Sequence, residues 1–242
     1  GSLTMARILY ELAAEDDARF SPYCWRTRFA LAHKRLDAEM RGLGFLEIPQ
    51  AVGAPHRTVP ILDDDGHVVS DSWAIALYLE DKYPGASLWN FGQQALGLYR
   101  ALDVWANQVL VPAIVPLAVL DIHSRIRPAD RAYFRESREK RLGMALEQAA
   151  GADPATRVDA VRKLLAPVRD TLVRQQWLGG SSPDYADYIV AGTLQWPRVI
   201  CRTPLLSPED PVAQWFERCL DLFDGLGRRM PAAPIAATSA GA

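Results

Sequence analysis

The chain has 242 residues, 49% of them hydrophobic and 23% charged, with a formal net charge of −2. That balance provides for a substantial core and leaves no basic face for nucleic acid or an anionic membrane surface. The richest apolar run, Val109 to Leu120, is too short to span a bilayer and holds Pro112 and Pro116.

Ile8, Leu9, Tyr10 and Leu12 predict a buried first strand over Arg7 to Leu12, followed by a polar loop from Ala13 to Arg19. Ser21-Pro22 then reads as an N-cap and a first-turn proline, opening a helix that runs to about Lys34 with Trp25 and Phe29 on one face. A weak strand over Glu39 to Leu43 and an irregular stretch with Gly44, Pro49, Gly53 and Pro55 come next. Thr58 to Leu62 predicts a strand with Pro60 inside it, either at a free sheet edge or with a cis Val59-Pro60 bond. Asp63 to Gly66 is a turn, His67 to Val69 its hairpin partner, and Asp71-Ser72 opens a helix that Pro84-Gly85 ends. This β-α-β then β-β-α order is the thioredoxin-like plan.

Beyond Gly85 the strand signals stop. Leu96, Tyr99, Leu102, Val109 and Leu110 predict a long helix bent or ended near Pro112 or Pro116. Further helices open at Pro128 and at Asp153-Pro154, the latter broken near Pro167. Asp184 to Asp187 reads as a capping pair ahead of a helix that Pro197 limits, and Asp210-Pro211 starts a last one stopped at Gly225. The expected architecture is an α/β thioredoxin-like domain over residues 5–84 followed by an all-α domain over residues 93–230. The Ala- and Pro-rich tail after Met230 is expected to be poorly ordered.

Cys24, Cys201 and Cys219 form neither a disulfide framework nor a Cys-x-x-Cys pair, and no signal-peptide pattern opens the chain, so a reducing, cytoplasmic setting is expected. Gly1 to Thr4, ahead of Met5, reads as an expression scar. Ser21-Pro22-Tyr23-Cys24 resembles the Cys-Pro-Tyr-Cys of thioredoxin with its nucleophilic cysteine replaced by serine. Without that low-pKa thiol, dithiol exchange is disfavoured. A helix start with a free hydroxyl and unpaired N–H groups suits a thiolate brought in by a ligand.

Taken together, the Ser-Pro-Tyr helix start, Val-Pro before a hairpin, Asp-Ser at the next helix and the all-α second half resemble the serine-type glutathione transferases. Ser21-Pro22-Tyr23-x-Trp25-Arg26 and Leu222 to Arg228 further resemble bacterial glutathione-dependent β-etherases and related fungal transferases. The resemblance implies glutathione as cosubstrate and a homodimer. It implies Ser21 as the catalytic hydroxyl, the Val59 backbone before Pro60 as the partner of the cysteinyl unit, and Asp71 with Ser72 at the γ-glutamyl end. Family members usually carry Glu where Asp71 stands. For the glycyl carboxylate His56, Arg57 and Lys34 are the candidates, with Arg57 favoured by its place just before the strand. Tyr23, Trp25, Trp105, His123 and Trp196 are candidate walls of a pocket for an apolar or aromatic electrophile, and no metal site is assigned.

The energetics suit that chemistry. Lowering a thiol from pKa about 8.5 by about two units takes about 2.7 kcal/mol of preferential thiolate stabilisation. One charge-assisted hydrogen bond supplies about 1.5–3 kcal/mol and a helix terminus about 0.3–1 kcal/mol. Beside these readings stand plainer ones: Ser21 and Asp71 as helix caps, Cys24 as a small core residue, and Trp105, Trp196 and His123 as core side chains. A non-catalytic transferase-fold protein that holds glutathione or hydrophobic ligands is the alternative function.

Overall fold

The computed structural model describes residues 6–53 and 55–235; residues Gly1 to Met5, with the expected scar, lie outside them. β1 (Arg7–Leu12) is central to a four-stranded mixed sheet of order β2-β1-β3-β4. β2 (Glu39–Leu43) runs parallel to it, β3 (Ile61–Asp64) pairs with it antiparallel, and β4 (His67–Ser70) pairs antiparallel with β3. The parallel pairing needs a crossover, which α1 (Pro22–His33) supplies, and α2 (Ser72–Lys82) follows β4. The hairpin turn puts both Asp65 (φ 54°) and Gly66 (φ 93°) in the left-handed region that a two-residue turn demands.

Charges inside this half are answered in place. Glu11, fully buried on β1, receives Arg28 Nε at 2.6 Å and Arg19 Nη1 at 3.0 Å. Asp64 receives Arg7 Nε at 3.1 Å and the hydroxyls of Tyr78 and Tyr83, each at 2.7 Å. Lys34 has its side chain buried, paired with Glu80 at 2.7 Å and donating to the carbonyls of Tyr83 and Gly85. It holds the end of α1 to the end of α2, which removes it from the candidates for the glycyl carboxylate.

Several differences from the sequence reading concern proline. β3 begins at Ile61, so Val59 and the cis-linked Pro60 precede the strand. Proline cannot donate to a ladder, and the chain enters the sheet only after it. In the second half α3 (Leu96–Trp105) passes through a π-helical turn, Ala106–Leu110, into α4 (Val111–Arg125). The π turn lies just ahead of Pro112, which falls in the first turn of α4, and the helix continues through Pro116. The whole segment Gln93–Arg125 is 33 residues long and apolar enough by length and composition to cross a membrane, contrary to the expectation from Val109 to Leu120 alone. Its apolar face is core: Leu110, Ile114 and Ala118 are fully buried.

α5 (Pro128–Leu142) and the short α6 (Leu146–Ala150) follow, then α7 (Pro154–Leu164) and α8 (Ala166–Leu172), separated near Pro167 as expected. α9 (Tyr185–Ile200) is the buried axis of this half and runs past Pro197 instead of ending there. Its capping box forms as read: Asp184 caps, and Asp187 reaches back to the Asp184 N–H at 3.0 Å. Asp187 also accepts from Leu178 N, Gly179 N and the Trp215 indole, at 2.7, 2.9 and 2.8 Å. α10 (Pro211–Gly225) closes the helical half. The tail departs from expectation in its described part, because Ala233 is buried and donates its N–H to the Arg198 carbonyl at 2.8 Å. A thioredoxin-like half followed by a helical half is the glutathione transferase architecture.

Candidate active site

Ser21 stands at the start of α1 with extended backbone (φ −65°, ψ 124°), and its Oγ accepts from Cys24 N at 3.3 Å. The side chain is nearly buried, with the Cys24 side chain close enough for its hydroxyl to act on that sulfur. Cys24 behind it is sealed in the core, where burial pushes its thiol up to about 12. That thiol is inert at neutral pH, in line with the plain core reading.

Val59 is buried, and among the described residues neither its N–H nor its C=O has a hydrogen-bond partner. A buried backbone pair of this kind is suited to the extended backbone of a peptide ligand. Asp71 caps α2 by accepting from Ala74 N at 3.0 Å while its own backbone sits at φ 80°, an uncommon conformation for a side-chain-bearing residue. It remains exposed, and its N–H reaches the Pro60 carbonyl at 3.3 Å, joining it to the Val59 segment. Ser72 is buried, and its carbonyl accepts from the Tyr185 hydroxyl at 3.2 Å, tying α2 to α9. Arg57 is exposed and without an ion-pair partner among the described residues; His56 is engaged by the Val52 carbonyl at 2.5 Å.

Behind Ser21 lies a buried polar cluster that sequence reasoning missed. Arg26 has no exposure and donates to Asp103 Oδ1 at 3.0 Å, Asn107 Oδ1 at 2.7 Å and Thr193 Oγ1 at 2.7 Å. The guanidinium thereby joins α1 to α3, to the π turn and to α9. It also lies 5.0 Å from the centroid of the Tyr23 ring, a cation–π contact. Burial, with Asp103 and Asp71 nearby, raises the Tyr23 hydroxyl above its ordinary pKa against the pull of Arg26, so it stays protonated. One signal was legible: Arg26, Asp103 and Asn107 are polar residues in otherwise apolar helical stripes. The π turn that brings Asn107 to Arg26 had no such signal.

The pocket candidates separate sharply. Tyr23 is half-buried at the site. Trp25 is fully buried, its indole donating to the Arg19 carbonyl at 2.7 Å, and so belongs to the core rather than to a substrate wall. Trp196 is likewise core, with 5% exposure. Trp105 lines a different apolar cavity, of about 670 Å³, with Phe91, Leu98, Leu102 and Val168. At 100° per residue Leu98, Leu102 and Trp105 form the stripe of α3 opposite to Asp103 and Asn107, so this cavity is turned away from Arg26. His123 lies 6.4 Å from the Phe134 ring, tilted 40° to it, near the charges of Arg131, Arg135 and Glu147, and burial with those two arginines lowers its pKa. None of its recorded partners belongs to the cluster around Ser21.

The second half also overhangs the first. Asp130 on α5 is buried and accepts from Phe45 N and Leu46 N, both at 3.1 Å, capping the 3-10 turn Phe45–Gln50. Gly44 makes that approach possible, since a Cβ there would sit 2.3 Å from Asp130 Oδ2.

Comparison with known proteins agrees with this architecture. The glutathione S-transferase N-terminal domain model matches residues 17–87 and the C-terminal domain model residues 97–220. The chain belongs to the glutathione S-transferase family, whose cosubstrate is glutathione. Among solved structures, a glutathione S-transferase of Ceriporiopsis subvermispora in complex with glutathione is similar at TM-score 0.75 and 21% identity, over 96% of this chain and 100% of that one. A glutathione transferase of Phanerochaete chrysosporium is similar at TM-score 0.69 and 26% identity, over 93% and 94% of the two chains. Among curated proteins, a maleylacetoacetate isomerase of Dictyostelium discoideum is 29% identical over 40% of this chain and 46% of its own length. Glutathione S-transferase Z2 of Arabidopsis thaliana is 34% identical over 38% of this chain and 41% of its own. The matches thus span under half the length of either curated relative.

Proposed function

We propose that this chain is an enzyme that binds glutathione between Ser21, Val59 and Asp71, holds its sulfur as the thiolate, and delivers it to an electrophile against the helical half. The observation that carries the reading is the Val59 backbone, buried and unpaired among the described residues ahead of the cis-linked Pro60, with the Ser21 hydroxyl capping the start of α1. Asp71 would meet the γ-glutamyl amine and Arg57 the glycyl carboxylate, one charge at each end of the tripeptide. Ser72 lies at the same helix start as Asp71 and would add its hydroxyl and the α2 N-terminus to the γ-glutamyl carboxylate. Residues 5–84 would form the glutathione-binding domain, and residues 93–230 the domain that receives the electrophile.

In the step itself the Ser21 hydroxyl donates to sulfur and offsets thiolate charge, and the N-terminus of α1 adds its dipole. The thiolate then attacks carbon, and the leaving group departs with the bonding pair. Tyr23, protonated and in cation–π contact with Arg26, would be the donor to a departing aryloxide. The finer reading is therefore cleavage of a β-aryl ether, supported by the etherase-like wording of the Ser21 motif and by Tyr23. A glutathione-dependent isomerase is the second reading, supported by the name of the Dictyostelium relative.

The test is a thiolate difference spectrum on adding glutathione, then turnover of a chloro-dinitro-aromatic and of both enantiomers of a β-aryl ether with phenol release followed by chromatography. Thiolate formation with aromatic turnover supports the transferase. Binding without turnover of any electrophile favours the non-catalytic alternative. Conjugation with no phenol from either enantiomer removes the ether reading alone. The family's habit of pairing also suggests a homodimer in a cytoplasmic setting, which sedimentation and cell fractionation would test.

A further inference from the structure

A second cavity lies in the helical half, on the far side of α9 from the Ser21 turn. Its volume is about 560 Å³, and it is bounded by the second half of α9, the loop before α10, the first turns of α10 and the tail. Leu194, Pro197, Arg198 and Cys201 form its α9 wall; at about 100° per residue that stripe is opposite to Gly192, which meets α1. The apolar lining is aliphatic, with Leu205 and Ile235 in it, and among the described residues Phe216 supplies its one aromatic ring. The Trp105 cavity differs on both counts. Phe91, Tyr99 and Trp105 line it, and among the described residues no charged side chain does.

Arg198 on this wall is half-buried, and among the described residues no carboxylate pairs with it. Its Nη1 donates to the carbonyls of Met230 at 2.7 Å and Gly227 at 3.2 Å, and to Gln195 Oε1 at 3.3 Å. Its own carbonyl accepts from Ala233 N at 2.8 Å, so the guanidinium and the tail wall are held together. Nε and Nη2 make no hydrogen bond among the described residues, and unlike Arg26 Nε they are not sealed from solvent. The one acid on the wall, Glu217, is taken by Arg228 at 2.6 Å. Burial and the charge of Arg228 lower Arg198 from its ordinary pKa against the pull of Glu217. A basic residue in the last turn of α9 suits the helix dipole, and clamping the tail occupies one nitrogen. Neither accounts for two further donors left open on a residue that lines an aliphatic cavity.

We propose that this cavity binds a straight-chain aliphatic carboxylic acid, with Arg198 on the carboxylate and the chain against the leucines and prolines of the wall. The volume falls within the range of about 300–1,000 Å³ typical of small-molecule sites, where an apolar lining holds the body and a few polar groups set its orientation. A guanidinium offers paired N–H donors that match a carboxylate, and removal of the chain from water supplies the remaining attraction. With a single ring to stack on, an aromatic acid fits this wall less well than an extended chain. The site binds its ligand without a bond-making step and stands independently of the transferase reading.

The test is calorimetry on the full chain with decanoate, 1-decanol and decylammonium, which share a chain and differ in head group, with and without excess glutathione. Decanoate should bind at one equivalent per chain, about tenfold or more tighter than decanol, with decylammonium weakest and glutathione without effect. Arg198→Gln should bring decanoate down to the affinity of decanol, and Arg198→Lys should restore part of the difference. Ala213→Trp fills the cavity from α10 without touching Arg198 and should weaken decanoate and decanol alike. No binding of decanoate, equal affinity for decanoate and decanol, or an Arg198→Gln variant that keeps the preference overturns the proposal. So does decanoate that ignores Ala213→Trp or that glutathione displaces, because the ligand then sits elsewhere. Sedimentation covers the remaining occupant: decanoate that binds only as two copies of the chain separate would make this face an interface between copies. Melting curves identify any variant that fails to fold, and Ala213, half-buried on α10, supplies the variant least prone to that fault.

Discussion

Gly192 on α9 lies so close to Arg26 on α1 that a Cβ at Gly192 would stand 2.7 Å from Arg26 Cγ and 2.9 Å from both the Arg26 nitrogen and the Pro22 carbonyl. The helical half therefore reaches the backbone of the Ser21-Pro22 turn itself. The bare glycine face and the Arg26 guanidinium, which meets Thr193 one residue along, act as a single joint between the halves.

Gly192→Ala should accordingly strain backbone, with no flexible side chain available to move aside. Overpacking of this kind costs about 1–3 kcal/mol. Urea unfolding should show a lower midpoint at unchanged slope, and the shifted start of α1 should lower transferase turnover as well. A wild-type midpoint would mean that the α1–α9 separation adjusts freely.

Asp64 gives a pH prediction. Burial raises its pKa, but hydrogen bonds from Tyr83 and Tyr78 and the charge of Arg7 outweigh that, and the net shift is downward from 3.8. With the folded pKa below the unfolded one, the unfolded chain binds more protons in acid. The contribution is present above about pH 4 and is lost as pH falls through the folded value. Asp64→Asn should therefore be less stable than wild type at neutral pH and flatter in its acid dependence. Parallel acid-unfolding curves for the two proteins would refute this.

Asp187→Ala should cost more than the ~2 kcal/mol ceiling of an ordinary cap. The carboxylate is fully buried and takes four N–H donors, one of them the Trp215 indole, and each donor left unpaired costs about 1–3 kcal/mol. Burial pushes its carboxyl up to about 6, yet those donors hold it in acceptor form. Chemical denaturation measures the loss. Glutathione affinity of the folded fraction, followed by calorimetry, should report no separate effect, and a selective loss of affinity would place Asp187 in the site.

Much of this arrangement was legible because it is local. The Ser21 cap, the Asp65-Gly66 turn, the capping pair at Asp184 and Asp187 and the break near Pro167 each follow from neighbouring residues. What was not legible depended on distance in the chain. Trp25, Trp105 and Trp196 are all apolar on helices, and only the tertiary arrangement separates core from cavity wall. Lys34 resembled an anion ligand until Glu80, 46 positions later, claimed it. The π turn had no signature beyond two prolines that more often end a helix.

Asp71 can be separated into its two roles. Asp71→Asn keeps an oxygen to accept from Ala74 N and a residue type that tolerates the left-handed region, while removing the charge. Melting temperature should stay close to wild type, and the glutathione KM should rise about tenfold from loss of a charge-assisted contact. If KM is unchanged while Asp71→Ala lowers only stability, Asp71 is a cap and the γ-glutamyl amine is held elsewhere.

Ser21→Ala is the sharpest test of the mechanism. The hydroxyl accepts from Cys24 N at 3.3 Å, so removing it costs part of a cap, about 0.5–2 kcal/mol of stability. That loss is independent of pH across the neutral range. The chemical loss is not. A hydroxyl that donates to sulfur favours the thiolate over the thiol, and without it the bound thiol returns toward the ordinary value of about 8.5. The rising limb of turnover against pH should move to higher pH, with a deficit of about tenfold to a hundredfold near pH 6.5 that narrows as the solution itself ionises the thiol. Glutathione binding should weaken little, because the Val59 backbone and the charges at Asp71 and Arg57 are untouched. Ser21→Thr keeps the hydroxyl and should recover part of the low-pH activity. An Ala variant with the same pH limb as wild type would transfer the thiolate-stabilising role to another donor, with the Tyr23 hydroxyl next in line.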